Sequence, residues 1–352
     1  MKVAWGLLST APINAAVLAG ARESERAEVV AVASRERARA EAYAREHGIE
    51  RAHGSYDALL ADPEVEAVYV SLPNALHVEW TLRALEARKH VLCEKPMSRH
   101  ADAVEEVFDV AEREGLVVSE GFMWRHHPQT ARLVELIAGG AIGRLRLVRA
   151  AFGFQLAANR GPGDARFSRE LDGGALMDVG CYCMNAIRLL AGEPERVYAE
   201  QVVGPTGVDV VMTAALRFAD DVVAPFDCGF VVPYRSELEV VGDEASIYVA
   251  DPFHIKSPGL ELRREPDRDR IVAEQIPIER ANSYRLELDN IGAAIRGDGP
   301  LLLGRDDAVA QARGIEALYA SAEDGAPRSP ARASLTRPGE RPRDRDRARS
   351  GA

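Results

Sequence analysis

Cysteine is scarce in this chain of 352 residues, long apolar runs are absent, and basic residues do not predominate. The four cysteines, Cys93, Cys181, Cys183 and Cys228, show no C-x-x-C pair and no framework spacing. That usage suits a reducing compartment and predicts a cytoplasmic protein. No stretch of about 18 uninterrupted apolar residues exists, so no membrane-spanning helix is expected. With a net charge of −11, the chain lacks the Lys and Arg excess that neutralises phosphates, and no nucleic-acid partner is expected. Also missing are a G-x-x-x-x-G-K-S/T phosphate loop, H-E-x-x-H and the G-x-S-x-G nucleophile elbow. His126 and His127 are adjacent rather than at ligand spacing, and Cys181 and Cys183 lack partners, so no metal site is expected.

What is present is length and order. The chain is long enough for about two domains, each able to bury a core without disulfide or metal. Lys2 and the apolar run 3–21 resemble a signal peptide. Pro12 and Asn14 interrupt that run, and a strand, tight turn and helix account for it better. Up to about residue 120, β-branched runs (Val3–Leu8, Glu28–Ala33, Ala67–Leu72, His90–Cys93, Leu116–Ser119) alternate with helical patterns. Alternating βα units with continuous apolar strands predict a parallel, doubly wound α/β sheet whose ligand crevice lies at the strands' carboxyl ends.

After Phe122 the pattern changes. A strand is expected over Arg144–Phe154 and a helix over Gly174–Leu190. Four strands follow, Val197–Val203, Asp209–Phe218, Val222–Val231 and Ser236–Val241, with hairpin turns at Ala219–Asp221 and Gly242–Glu244. Consecutive strands without intervening helices predict an α+β domain with an antiparallel sheet. The expected division is a dinucleotide-binding domain over 1–122, a substrate-binding and oligomerisation domain over 123–325, and an Arg/Pro-rich tail over 326–352. The tail has eight Arg against Glu340, Asp344 and Asp346 and too few apolar residues to order itself.

In the first strand–turn–helix, Ser9, Ala11 and Asn14 occupy the three glycine positions of the G-x-G-x-x-G fingerprint. A tight turn, a close backbone approach and exposed helix N–H groups are what hold a pyrophosphate, and these small residues permit all three. Thr10 adds a hydroxyl, and Ile13 opens the helix. An ordinary βα turn is the alternative. At the end of the second strand, Ser34 stands where an NAD enzyme places an acid, and Arg35, with Arg39 one turn on, can pair with a 2′-phosphate. This points to NADP, with NAD as the alternative. Two further strand ends carry Leu72-Pro73-Asn74 with His77, and Glu94-Lys95-Pro96. Lys95, between a buried strand and a proline, is an ammonium in a fixed turn. Asp178 and Tyr182 are four residues apart and share a helix face. Lys95 beside a phenol gives an acid/base pair in which the positive charge lowers the pKa of Tyr182.

These motifs, with Phe122-Met123-Trp124-Arg125-His126-His127-Pro128 and the run Gly173–Tyr182, resemble the glucose–fructose oxidoreductase/inositol dehydrogenase (Gfo/Idh/MocA) family over about residues 2–325. Tyr182, where many members have His, is similar to the branch of dimeric dihydrodiol dehydrogenase and NADP-linked D-xylose dehydrogenase. The resemblance implies an N-terminal Rossmann domain, a C-terminal open, mostly antiparallel sheet used for homodimer or homotetramer contacts, and Lys95 beside nicotinamide. Trp124 and Arg125 are assigned to the cofactor side, and Met123, Phe154 and Tyr234 to the substrate pocket, from segment position. The expected function is NADP(H)-dependent hydride transfer to or from a sugar, cyclic polyol or vicinal diol, with catalytic Lys95, Tyr182 and Asp178. Two alternatives are a non-catalytic cofactor-binding regulator and a nicotinamide-dependent glycoside-cleaving enzyme.

Overall fold

The computed structural model describes residues 1–156, 163–267 and 270–330. Six strands, β1 (Val3–Leu8), β2 (Ala27–Ala33), β3 (Arg51–His53), β4 (Ala67–Val70), β5 (His90–Glu94) and β6 (Val118–Gly121), form the first sheet. All pair in parallel, in the order β3-β2-β1-β4-β5-β6. The order reverses between β1 and β4, and at that point the loops leaving the strands part and open a crevice. The apolar run of β4 is buried on both faces, Val68 and Val70 on one side and Ala67 and Tyr69 on the other. Each buried valine there is worth about 1.5 kcal/mol or more, which is why the central strands need no polar alternation.

The second sheet has eight strands, in the order β14-β13-β12-β11-β7-β10-β9-β8. They are β7 (Leu145–Gln155), β8 (Arg196–Val203), β9 (Asp209–Arg217), β10 (Val223–Gly229), β11 (Val231–Gly242), β12 (Ala245–Val249), β13 (Gly259–Asp267) and β14 (Arg270–Pro277). Every neighbouring pair is antiparallel except β7 and β10. Asp220 and Asp221 take φ of +56° and +63°, the backbone of a tight hairpin turn in which short polar residues are tolerated. The expected strand Val222–Val231 is instead divided at Phe230, and β11 runs on through Pro233. The three-residue β3 and strands β12 to β14 were not expected. β14 is exposed along most of its length, so its sequence shows no buried alternation.

The expected helix from Gly174 begins as a π turn, Leu176–Gly180, and continues as helix Cys181–Ala191. Two late helices return to the first lobe. Leu288 and Ile291 of helix Ser283–Arg296 join the core of Val3, Trp5 and Val17 on one face of the parallel sheet. Ala308, Val309 and Ala312 of helix Arg305–Asp324 join Val104 and Val107 on the other. Gly20 permits the first contact, since a Cβ there would lie 2.7 Å from Arg285 N. Within the expected tail, Arg328 exchanges two backbone hydrogen bonds with Val197 on β8, of 2.7 and 2.8 Å. The rest of that tail, 331–352, lies outside the described residues.

Candidate active site

The first βα turn behaves as a glycine turn without glycine. Ser9 takes φ +145°, a conformation that normally favours glycine. Its hydroxyl meets Ser71 O at 3.0 Å and Ser71 Oγ at 2.8 Å, and accepts Ala11 N–H at 3.0 Å. The buried Asn14 donates from Nδ2 to Ser9 O at 2.8 Å, so the third fingerprint position holds the turn from beneath. Ala11 and Ile13 line the cleft, and among the described residues the N–H of Ile13 makes no hydrogen bond. Thr10, between Ser9 and Ala11, is half-buried. At the end of β2, Ser34 is buried, and its Oγ accepts Glu36 N–H at 3.3 Å instead of capping the helix, which begins at Arg37. Arg35 and Arg39 are exposed, and within the described residues neither has an ion-pair partner. A preformed tight turn, an unsatisfied N–H and two unpaired guanidiniums fit a phosphorylated dinucleotide.

The loops after β4 and β5 are bolted together by His77. Its Nδ1 lies 2.9 Å from Pro96 O and its Nε2 2.8 Å from Leu72 O, so both ring nitrogens are committed to the scaffold. The Lys95–Pro96 bond is cis. Asn74 reaches across to the second lobe, Nδ2 donating to Asp172 O at 2.8 Å. Glu94 accepts Lys95 N–H at 3.2 Å and a short hydrogen bond from the Tyr69 hydroxyl; burial pushes its carboxyl up.

Between these loops and the second lobe lies a cleft of about 580 Å³. Lys95 Nζ donates to Asp178 O at 2.7 Å and to Asp178 Oδ1 at 3.1 Å. The other carboxylate oxygen of Asp178 accepts Arg166 Nη1 at 3.2 Å, and Arg166 itself forks onto Asp164 at 2.8 and 2.9 Å. Burial opposes both charges of the Lys95–Asp178 pair. Mutual attraction outweighs it, so the ammonium titrates above its ordinary value and the carboxylate below its own. The π turn is what brings the Asp178 carbonyl and carboxylate to the same ammonium. The Lys95 ammonium also lies 4.7 Å from the centroid of the Tyr182 ring. An amine of the first lobe and a phenol of the second therefore face one cavity.

One expectation is corrected. The pKa of Tyr182 is raised well above 10, first by burial and then by Glu94, rather than lowered by Lys95. The ammonium sits over the ring face, and the hydroxyl donates to Met123 Sδ at 3.7 Å. The apolar cage of Phe122 and Phe152, whose rings meet Tyr182 edge-on, supplies the burial.

Of the other expected residues, Leu72, Pro73, Asn74, His77, Glu94 and Phe154 line the cleft. Met123 is buried behind Tyr182. Trp124 is buried in the second-lobe core, edge-on to Phe253 at 5.9 Å. Arg125 pairs with Asp307 at 3.2 Å. Tyr234, 57% exposed on β11, is not among the cleft residues. Sequence reading missed Arg166, His254 and Tyr284, which all face the cleft. Arg166 is in a single 3-10 turn, Ala165–Phe167, and His254 is on a loop. Tyr284 is more than a hundred residues from Tyr182, and its one signal was its place at the start of an amphipathic helix. Among the described residues no group of three or more His, Cys, Asp or Glu is placed to hold a metal, and no helix is long and apolar enough to cross a membrane.

Comparison with known proteins agrees with this fold. Residues 11–122 match the model of the oxidoreductase family with an NAD-binding Rossmann fold, and residues 130–248 match the GFO/IDH/MocA C-terminal domain. The chain is 37% identical to D-xylose 1-dehydrogenase (NADP(+)) 2 of Haloferax volcanii over 324 residues, 92% of this chain and 98% of that enzyme. It is 35% identical to trans-1,2-dihydrobenzene-1,2-diol dehydrogenase of Danio rerio, over 73% of this chain and 77% of that one. Among solved structures, a 3-ketoreductase from Actinomadura kijaniata in complex with NADP and TDP-benzene superimposes with a TM-score of 0.84 at 29% identity, covering 91% of this chain and 98% of that chain. With a parallel six-stranded sheet, a mostly antiparallel eight-stranded sheet and Lys95 and Tyr182 in the cleft between them, the chain belongs to the Gfo/Idh/MocA family of oxidoreductases.

Proposed function

We propose that this protein is an NADP(H)-dependent oxidoreductase that interconverts a hydroxyl and a carbonyl on a sugar, cyclic polyol or vicinal diol. One observation carries the reading: Lys95, held by Asp178, and Tyr182 meet in a single cleft at the carboxyl ends of β1, β4 and β5. The relatives named as acting on xylose and on a dihydrodiol, and the neighbour solved with NADP, support the substrate class and the cofactor. When bound, the nicotinamide supplies or accepts the hydride. The turn of Ser9, Thr10, Ala11, Ile13 and Asn14 holds the pyrophosphate, and Ser34, Arg35 and Arg39 hold the 2′-phosphate. Leu72, Pro73, Asn74, His77, Glu94 and Pro96 shape the nicotinamide side.

Lys95 binds the substrate oxygen and polarises it. With its O–H turned from Met123 Sδ to the substrate, Tyr182, a neutral phenol kept so by burial, donates its proton to a carbonyl oxygen in the reducing direction; in the oxidising direction it takes the substrate proton as its own is released into the cleft. Asp178 fixes the ammonium and orients a neighbouring hydroxyl. A non-catalytic regulator has no need of such a proton-transfer pair. The protein works in the cytoplasm, a reading supported by four buried free cysteines. It is a homodimer or homotetramer through the outer face of the second sheet; light scattering of the purified chain tests this.

The activity is tested by following nicotinamide absorbance with NADP⁺ and D-xylose, D-glucose, myo-inositol or trans-1,2-cyclohexanediol. Lys95→Ala and Tyr182→Phe should each lower kcat by ~10²-fold or more while leaving the Kd for NADP⁺ unchanged within about twofold. Full kcat in Tyr182→Phe refutes the role given to the phenol. No oxidation of any alcohol by the unaltered protein favours the regulator.

A further inference from the structure

The loop 250–258, between β12 and β13, holds one exposed imidazole between two buried anchors. Phe253 is fully buried, stacked on Phe152 at 5.2 Å between ring centroids. Ile255 is also buried, yet its φ is +46°. That left-handed backbone is an outlier for a β-branched residue. With both neighbours turned inward, His254 is left facing the cleft, its ring edge-on to Phe152 at 5.3 Å. Phe152 is the same ring that meets Tyr182 at 5.6 Å. His254 thus shares the cavity of Lys95, Asp178 and Tyr182 while remaining open to solvent.

We propose that His254 is a further acid–base residue of this site, the group that exchanges the reaction's proton with bulk water. The inference rests on the oxidoreductase reading above. The other titratable groups of the cleft are already committed. Lys95 is held as an ammonium by Asp178, and Asp178 is locked between Lys95 and Arg166. Glu94 is bonded by Tyr69, and His77 spends both nitrogens on backbone carbonyls. Tyr182 and Tyr284 are kept as neutral phenols by burial. Only an imidazole changes charge near neutral pH without such a partner. In oxidation the substrate O–H bond breaks, and the electron pair of its C–H bond leaves as hydride to NADP⁺. Tyr182 takes the substrate proton as its own phenol proton leaves, and the neutral imidazole accepts that proton across the shared cleft and releases it to water. Reduction starts from the imidazolium and runs backwards.

The groups facing His254 set the pH behaviour. Desolvation on the side of the ring that packs against Phe152 favours the neutral form most, although the residue is otherwise exposed; Asp251 of its own loop and Asp178 across the cleft hold the proton on, while Lys95 and Lys256 push it off. The balance lies below the ordinary imidazole value of 6.5. Oxidation, which needs the neutral ring, therefore rises with pH through an apparent pKa below that value and then levels; reduction falls through the same pKa.

The test compares wild type with His254→Asn, using D-xylose and trans-1,2-cyclohexanediol as probes. Loss of ~10²-fold in oxidative kcat is expected, with KM and NADP⁺ affinity steady, the acidic limb gone, and part of the rate restored by added imidazole. Independently of turnover, proton NMR of the cofactor-free protein should show one imidazole titrating below 6.5 that disappears in His254→Asn. Unchanged kcat with the acidic limb intact overturns the proposal, as does a raised KM without rescue. Absence of any alcohol oxidation by the unaltered protein overturns instead the oxidoreductase reading itself, and an undiminished Lys95→Ala enzyme overturns only the role given to that ammonium.

Discussion

Ser9 holds a glycine-like backbone because three hydrogen-bonded neighbours, Ser71, Ala11 and Asn14, fix it there. That is why the turn could be read from small residues although the glycine pattern is absent. Arg35 and Arg39 are a sharper residue-scale case, since neither has a partner within the described residues and both lie beyond β2. Replacing both with Ala should raise the Kd for NADP⁺ by ~10–100-fold, the equivalent of one or two charge-assisted hydrogen bonds, and leave that for NAD⁺ nearly unchanged. Titration of cofactor fluorescence measures both. Lys95, Asp178 and Tyr182 were legible from marks in the sequence: a proline directly after Lys95, a Gly-Gly pair opening the segment that carries Asp178, and the four-residue spacing from Asp178 to Tyr182. The protonation of Tyr182 was not legible. It depends on Phe122 and Phe152 packing against the Tyr182 ring and on Met123 meeting its hydroxyl, and nothing in their spacing announces those contacts.

The π turn at Leu176–Gly180 carries both the Asp178 contact and the approach to Tyr182, and one carboxylate pins its start. Asp209, at the beginning of β9, accepts Leu176 N–H at 2.7 Å and the Tyr319 hydroxyl at 2.8 Å. Gly174, at φ +132°, makes room: a Cβ there would lie 2.1 Å from Asp209 Oδ1. Gly174→Ala should therefore cost about 3 kcal/mol or more, since backbone strain and the loss of a buried hydrogen bond act together. Denaturant unfolding measures the loss, and kcat should fall before cofactor affinity does. At this scale the central strands of the first sheet were legible to within a few residues, because burial on both faces leaves uninterrupted apolar runs. β3 is too short to give a period. β13, with the sequence Gly-Leu-Glu-Leu-Arg-Arg-Glu-Pro-Asp, and the exposed β14 show one weakly apolar face or none. They hold together through their neighbours, and the chain offers no local sign of that.

Across the whole molecule, the first lobe is closed on both faces by helices that come last in the chain. The contact of helix Ser283–Arg296 with helix Asn14–Glu23 depends on Gly20, against which Arg285 N and Tyr284 pack. Gly20→Leu should push the late helix outward and carry with it Tyr284, whose ring faces the cleft. Melting temperature and kcat should fall together, and near-ultraviolet circular dichroism of the tyrosines should change; a variant unaltered in all three would show the late helix to be dispensable. The same wrapping has a consequence for biosynthesis. Leu288 and Ile291 complete the apolar filling between Val3 and Val17, yet they leave the ribosome long after β6 has been made. The nascent first lobe must wait, half-filled, until nearly the entire polypeptide has emerged. The first strand, the first helix and the late helix then settle together around one shared apolar cluster.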